Sequence, residues 1–113
     1  MNNKIGKLLV KCGVPQHIRG YKYLVTAIEK VTDGSCTLDK ICTDLYSAVA
    51  HVHGTTISRV ERSIRHAIET SFNNNSPFAS ELFGYTISYE RGKPTNKHFI
   101  AALVEALKSY DAD

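Results

Sequence analysis

Apolar residues recur three and four positions apart through most of this chain, and glycine or proline interrupts the pattern at nearly every break. That spacing is helical, so the core must form by packing helix stripes together rather than by pairing strands. Ile5, Leu8, Leu9 and Cys12 mark a first helix, closed by Gly13-Val14-Pro15. A second runs from about Ile18 to Val31, with Tyr21, Leu24, Val25, Ile28 and Val31 on one side and Asp33-Gly34 as its stop. Thr37 is the expected N-cap of a third, whose inward residues are Leu38, Ile41, Leu45, Val49 and Val52 and which ends at Gly54. Thr55 and Thr56 open a fourth, from about Ile57 to Phe72, before a turn at Asn73-Asn74-Asn75. Ser76-Pro77 starts a short helix that Gly84 ends. Tyr85 to Tyr89 alternates like a short extended segment, and Arg91 to Pro94 reads as loop. Thr95 caps a last helix that buries Phe99, Ile100, Leu103, Val104 and Leu107. The expectation is an all-α fold, one six-helix domain over residues 1–113, with a helix-turn-helix across about 37–72.

Composition excludes several classes. With 113 residues, 42% hydrophobic and 22% charged, the chain reads as an ordinary globule, not a disordered tail, a collagen-like fibre or a membrane protein. Asp44 interrupts the longest weakly charged stretch, Ile41 to Ser58, so no bilayer span is expected. Lys4, Lys7 and Lys11 break up any apolar leader after Met1, which points to the cytosol. Cys12, Cys36 and Cys42 are odd in number and form no CxxC, so reduced, mostly buried thiols are expected. His51 and His53 fall on different faces of a helix, and neither a metal nor another cofactor is expected. No Gly-rich phosphate loop, GxSxG or HExxH occurs, and Cys12 with His17 lacks an orienting third group. The chain does not read as an enzyme.

Charge is uneven. The net charge is only +3, yet residues 1–28 carry Lys4, Lys7, Lys11, Arg19 and Lys22 and no acid. Such a segment suits either a solvated face or one turned toward phosphates. The stretch LYSAVAHVHGTTISRVERSIRHAIE is more specific. Two amphipathic helices meet at His53-Gly54, with Ala50 four residues before the glycine and Val60 six after it. A small residue, a glycine and an apolar anchor in that order make a helix-turn-helix. In the second helix Ile57, Val60, Ile64, Ala67 and Ile68 share a face, while Arg59, Arg62 and His66 oppose them, flanked by Ser58 and Arg65. Arginine's planar fork can meet O6 and N7 of guanine together. Glu61, four residues before Arg65, can orient that guanidinium or accept from a cytosine amino group. A solvated arginine face on a bundle helix has the same pattern.

Four segments in order, GVPQHIRGYKYL (Gly13 to Leu24), TTISRVERSIRHAIE (Thr55 to Glu69), LFGYTIS (Leu82 to Ser88) and KPTNKHFIA (Lys93 to Ala101), add a second kind of argument. Together they closely resemble the C-terminal effector domain of the stage-zero sporulation response regulators, from about Ile5 to Leu107. The resemblance implies a six-helix domain whose fourth helix enters the major groove of a box containing TGTCGAA. It implies base contacts by Arg59, Glu61, Arg62, Arg65 and His66 and phosphate contacts by Ser58, His17, Arg19, Lys93, Thr95 and Asn96. It further implies head-to-tail homodimers on tandem boxes of double-stranded DNA. A contact with the RNA polymerase sigma factor would run through Ser76, Ser80, Leu82, Phe83 and Ser88. The chain has no room for a receiver domain, so it reads as an excised effector domain or a stand-alone relative, nucleoid-associated and not gated by phosphorylation. A module that modulates a full-length regulator or RNA polymerase without reading DNA is the alternative.

Overall fold

The structure, a computed structural model, describes residues 2–74, 77–83 and 94–112. Six α-helices run through them: α1 (Asn2–Lys11), α2 (Arg19–Thr32), α3 (Ser47–His53), α4 (Ile57–Asn73), α5 (Pro77–Phe83) and α6 (Asn96–Ala112). Among the described residues there is no strand, and the fold is all-α. The expected stop at Gly84, the extended reading of Tyr85 to Tyr89 and the start of the Arg91 loop lie outside the described residues. No helix among the described residues is long and apolar enough to cross a membrane.

One continuous apolar cluster joins the helices. Ile5 and Leu9 of α1, Leu24 and Ile28 of α2, and Ile64 and Ile68 of α4 are all at most 1% exposed. The stripe expected on α6, Phe99, Ile100, Leu103, Val104 and Leu107, is buried in full. Phe83 of α5 stacks on Phe99 with ring centroids 5.3 Å apart and planes 12° from parallel, closing that end of the core. The far end of α4 is tied down by polar contacts. Buried Ser71 donates to the Cys12 carbonyl, and Asn74 Nδ2 donates to the Gly13 carbonyl at 2.8 Å.

Two buried faces differ from those the spacing predicts. On α2, Gly20, Tyr23 and Ala27 are buried with Leu24 and Ile28, whereas Tyr21, Val25 and Val31 are only partly covered. Small residues cause the rotation: Gly20 lies directly against α4, where a Cβ would come within 2.3 Å of the Ser63 carbonyl oxygen and 2.6 Å of the Ala67 Cβ. Hydropathy spacing gives glycine and alanine little weight, so it sets this face slightly wrong. The third helix also departs from expectation. Thr37 Oγ1 does accept a cap bond, from Asp39 N at 3.1 Å, but it opens a 3-10 turn at Leu38–Lys40 followed by a π-helical segment at Ile41–Tyr46. Leu45 and Val49 are buried as expected; the i→i+5 turn takes up an extra residue, and Tyr46 and Ala50 join them inside while Leu38 and Ile41 are only partly covered. Val52 is left 53% exposed, past the edge of the core.

The cysteines divide. Cys12 is buried, Cys36 is intermediate and Cys42 is exposed, so the expectation of mostly buried thiols fails at Cys42, which sits on the outer side of the π-helical segment. Burial alone pushes the Cys12 thiol up to about 12, while His17 is exposed. A thiol held protonated at neutral pH is no nucleophile.

Candidate nucleic-acid interface

The turn between α3 and α4 is built by local chemistry. Gly54 adopts φ +63°, the left-handed conformation, and an added Cβ there would meet nothing within 4 Å. Glycine is therefore used for its backbone freedom, not for space. Thr55 N donates to the Ala50 carbonyl at 2.9 Å and closes α3. At the next residue Thr56 Oγ1 accepts from Arg59 N at 3.2 Å and starts α4, a cap worth about 1 kcal/mol. Ala50 and Val60, the small residue and the anchor, are 6% and 0% exposed. A helix-turn-helix results.

The helix α4 has two unlike sides. Val60, Ile64, Ala67, Ile68 and Ser71 are buried, while Ser58, Arg59, Arg62, Arg65 and His66 are exposed. Ile57, expected with the buried set, is 43% exposed because it heads the helix beyond its neighbours. The Glu61 carboxylate and the Arg65 guanidinium form an ion pair on this surface. The Glu61 hydrogen bond and charge raise the Arg65 pKa above its ordinary value, so the guanidinium stays a fixed cation. Of the two roles open to Glu61, orienting Arg65 is the one it performs here.

Two other helices begin beside this surface. The Gly20 contact lays the start of α2 against α4 at Ser63. On the other flank, Asn96 at the start of α6 donates through Nδ2 to the Glu61 carbonyl at 3.1 Å and to the Tyr46 hydroxyl at 2.9 Å. At about 100° per residue, Ser63 and Glu61 lie on opposite sides of the arginine face. The face is thus bracketed by two helix N-termini, each with unspent N–H groups and the positive end of a helix dipole. Exposed His17 and Arg19 stand at the first, and exposed Thr95 and Lys97 at the second. Thr95 Oγ1 accepts from His98 N at 3.2 Å and caps α6.

The remaining expected residues fare differently. Asn96 spends both amide hydrogens inside the protein, so it braces the site instead of presenting a donor to phosphate. Phe83 is 0% exposed and packs among Phe72, His98 and Phe99, so it cannot offer a side chain to a partner protein. Leu82 is partly buried against the same core. Lys93, Ser76 and Ser88 lie outside the described residues, as does the side chain of Ser80. Sequence reading missed Gly20 and Tyr46. Glycine inside an otherwise helical run was the available signal for the first; the second had none.

His53, next to the turn, shares a 2.7 Å hydrogen bond between its Nε2 and Thr26 Oγ1 and lies 5.1 Å from the Tyr23 ring centroid. Burial, and then the Lys22 charge, hold its pKa below the ordinary imidazole value of 6.5. In the unfolded chain His53 takes up its proton first as pH falls, so the stability it supports is complete above about 6.5 and declines below it. Urea midpoints should therefore fall between about pH 7 and pH 5, and fall less in His53→Gln. Parallel slopes for the two proteins would remove His53 from this linkage.

A helix-turn-helix whose second helix is fixed along one side and rich in arginine along the other defines a DNA-binding regulatory domain. Residues 5–107 match the family described as Sporulation initiation factor Spo0A C terminal. The chain belongs to that family, whose members are helical DNA-binding domains regulating transcription in sporulation. The resemblance drawn from the four segments is thereby upheld.

Proposed function

We propose that this domain recognises a TGTCGAA-type box by seating α4 in the major groove, with phosphates gripped on both sides of it. The observation that carries the reading is the bracketed arginine face. Arg59, Arg62, Arg65 and His66 stand outward between the start of α2 and the start of α6. A groove-bound helix needs that layout, because the two DNA strands pass on either side of it. Arg62 and Arg65 read guanines, with Glu61 aiming Arg65. Ser58, His17, Arg19, Lys93 and Thr95 contact backbone phosphates, and amides at the two helix starts assist them.

The domain acts as a nucleoid-associated protein of the cytoplasm. It occupies tandem boxes as a head-to-tail homodimer and meets the sigma factor of RNA polymerase through segment 76–88, to which Phe83 contributes as a core residue.

Fluorescence anisotropy with a TGTCGAA duplex and a scrambled control, over a salt series, tests the central claim. Box preference of about a thousandfold, with affinity falling as salt rises, is the expected result. Equal and weak binding to both duplexes would sink sequence reading and favour a protein-interaction module instead.

A further inference from the structure

The cleft beside α4 is lined by Cys42, Tyr46, Glu61, Arg65, Thr95 and Lys97 among others and encloses roughly 520 Å³. Asn96, which also lines it, touches two elements of the reading machinery at once. Asn96 is partly buried at the first turn of α6, and its one amide nitrogen reaches the Tyr46 hydroxyl at 2.9 Å and the Glu61 carbonyl at 3.1 Å. A backbone carbonyl can only accept, so the side chain must turn its NH2 this way, and each hydrogen then has its own acceptor. Tyr46 is 3% exposed and immediately precedes α3, the first helix of the helix-turn-helix. Glu61 belongs to the second, and its carboxylate holds Arg65. One amide therefore fixes the start of α6 to both halves of the reading unit.

We infer that Asn96 is a positioning residue for DNA specificity, setting the height and rotation of the Glu61–Arg65 pair relative to Thr95 and the exposed Lys97 at the start of α6. The inference rests on the proposed DNA reading. Bases are read by bonds that tolerate little displacement, whereas phosphates attract a cation over a broader range of positions. A helix free to shift against its phosphate clamp would keep its non-specific affinity and lose discrimination. Asn96 thus acts on specificity while contacting no DNA.

The test compares wild type, Asn96→Ala and Tyr46→Phe by anisotropy on box and scrambled duplexes, at a temperature where melting curves show each protein folded. Asn96→Ala should weaken box binding roughly tenfold, the equivalent of two modest hydrogen bonds, with scrambled binding changed less than about twofold. Tyr46→Phe, which removes one of the two acceptors, should fall between. Equal losses on both duplexes, or none on either, would overturn the inference. Hydrogen exchange in the free protein separates this from failure of the DNA reading. The Arg65 amide, which shares the Glu61 carbonyl in the helix ladder, should exchange faster in Asn96→Ala. Unchanged exchange overturns the brace whatever the DNA data show. If wild type has no box preference but exchange responds, the DNA reading fails, and with it the specificity role of Asn96.

Discussion

Replacing Gly20 by alanine should lower the thermal midpoint of this domain by several degrees and weaken its hold on DNA as well. Helix propensity favours the change, by about 1 kcal/mol for glycine to alanine inside a helix. Contact geometry opposes it more strongly. The new Cβ would sit 2.3 Å from the Ser63 carbonyl oxygen and 2.6 Å from the Ala67 Cβ. The first of these is backbone, so no side-chain rotation relieves the clash, and α2 and α4 must move apart. Overpacking of this kind typically costs about 1–3 kcal/mol. For a chain of this size each kcal/mol lowers Tm by on the order of 4 °C. Because Gly20 sets where Arg19 and His17 stand beside α4, DNA affinity should fall even in the folded fraction. A melting curve unchanged from wild type would show that α2 and α4 do not meet as closely as they do here.

The other large effect belongs to Arg62. It stands exposed near the middle of the outward face of α4 and is absent from the Glu61–Arg65 pair, so its guanidinium need not break that contact to meet a base. Arg62→Ala should cost roughly 1–3 kcal/mol on the box and relax sequence preference at one base pair. Stability should barely change, since an exposed surface substitution usually falls within about 0.5 kcal/mol. Arg65→Ala serves as the comparison, for it also releases Glu61 and should disturb more than one position. Competition anisotropy against single-substitution duplexes reads both variants. If Arg62→Ala weakened every duplex by one factor, Arg62 would be a phosphate contact and not a reader.

These two residues mark the limits of reading the chain in one dimension. Arg62 could be placed from sequence because amphipathic spacing needs only neighbours three and four positions away. The same locality made the helix-turn-helix legible: Ala50, Gly54, Thr56 and Val60 all act within two turns of the junction. The Thr95 cap and the buried stripe of α6 follow from local rules too. Where the reading erred, the error was geometric. A π-helical segment brought Tyr46 inside beside Leu45, and Ile57 and Val52 overhang the core at positions that periodicity would bury.

By itself, then, the amino-acid order determined most of the helices, the stops at Gly13, Gly34 and Gly54 and the two-sided character of α4, since each depends on backbone propensities and hydrophobic spacing over a few residues. Only the tertiary structure decided how that helix is held. Gly20 closing on Ser63, Asn96 reaching across 35 positions to Glu61 and Ser71 bonding to Cys12 across 59 are contacts between distant segments. Their partners come together only after the helices pack, so no local pattern encodes them. The physical reason is that packing selects among faces that spacing leaves nearly equivalent, and small residues and side-chain amides, nearly silent in hydropathy, cast the deciding contacts.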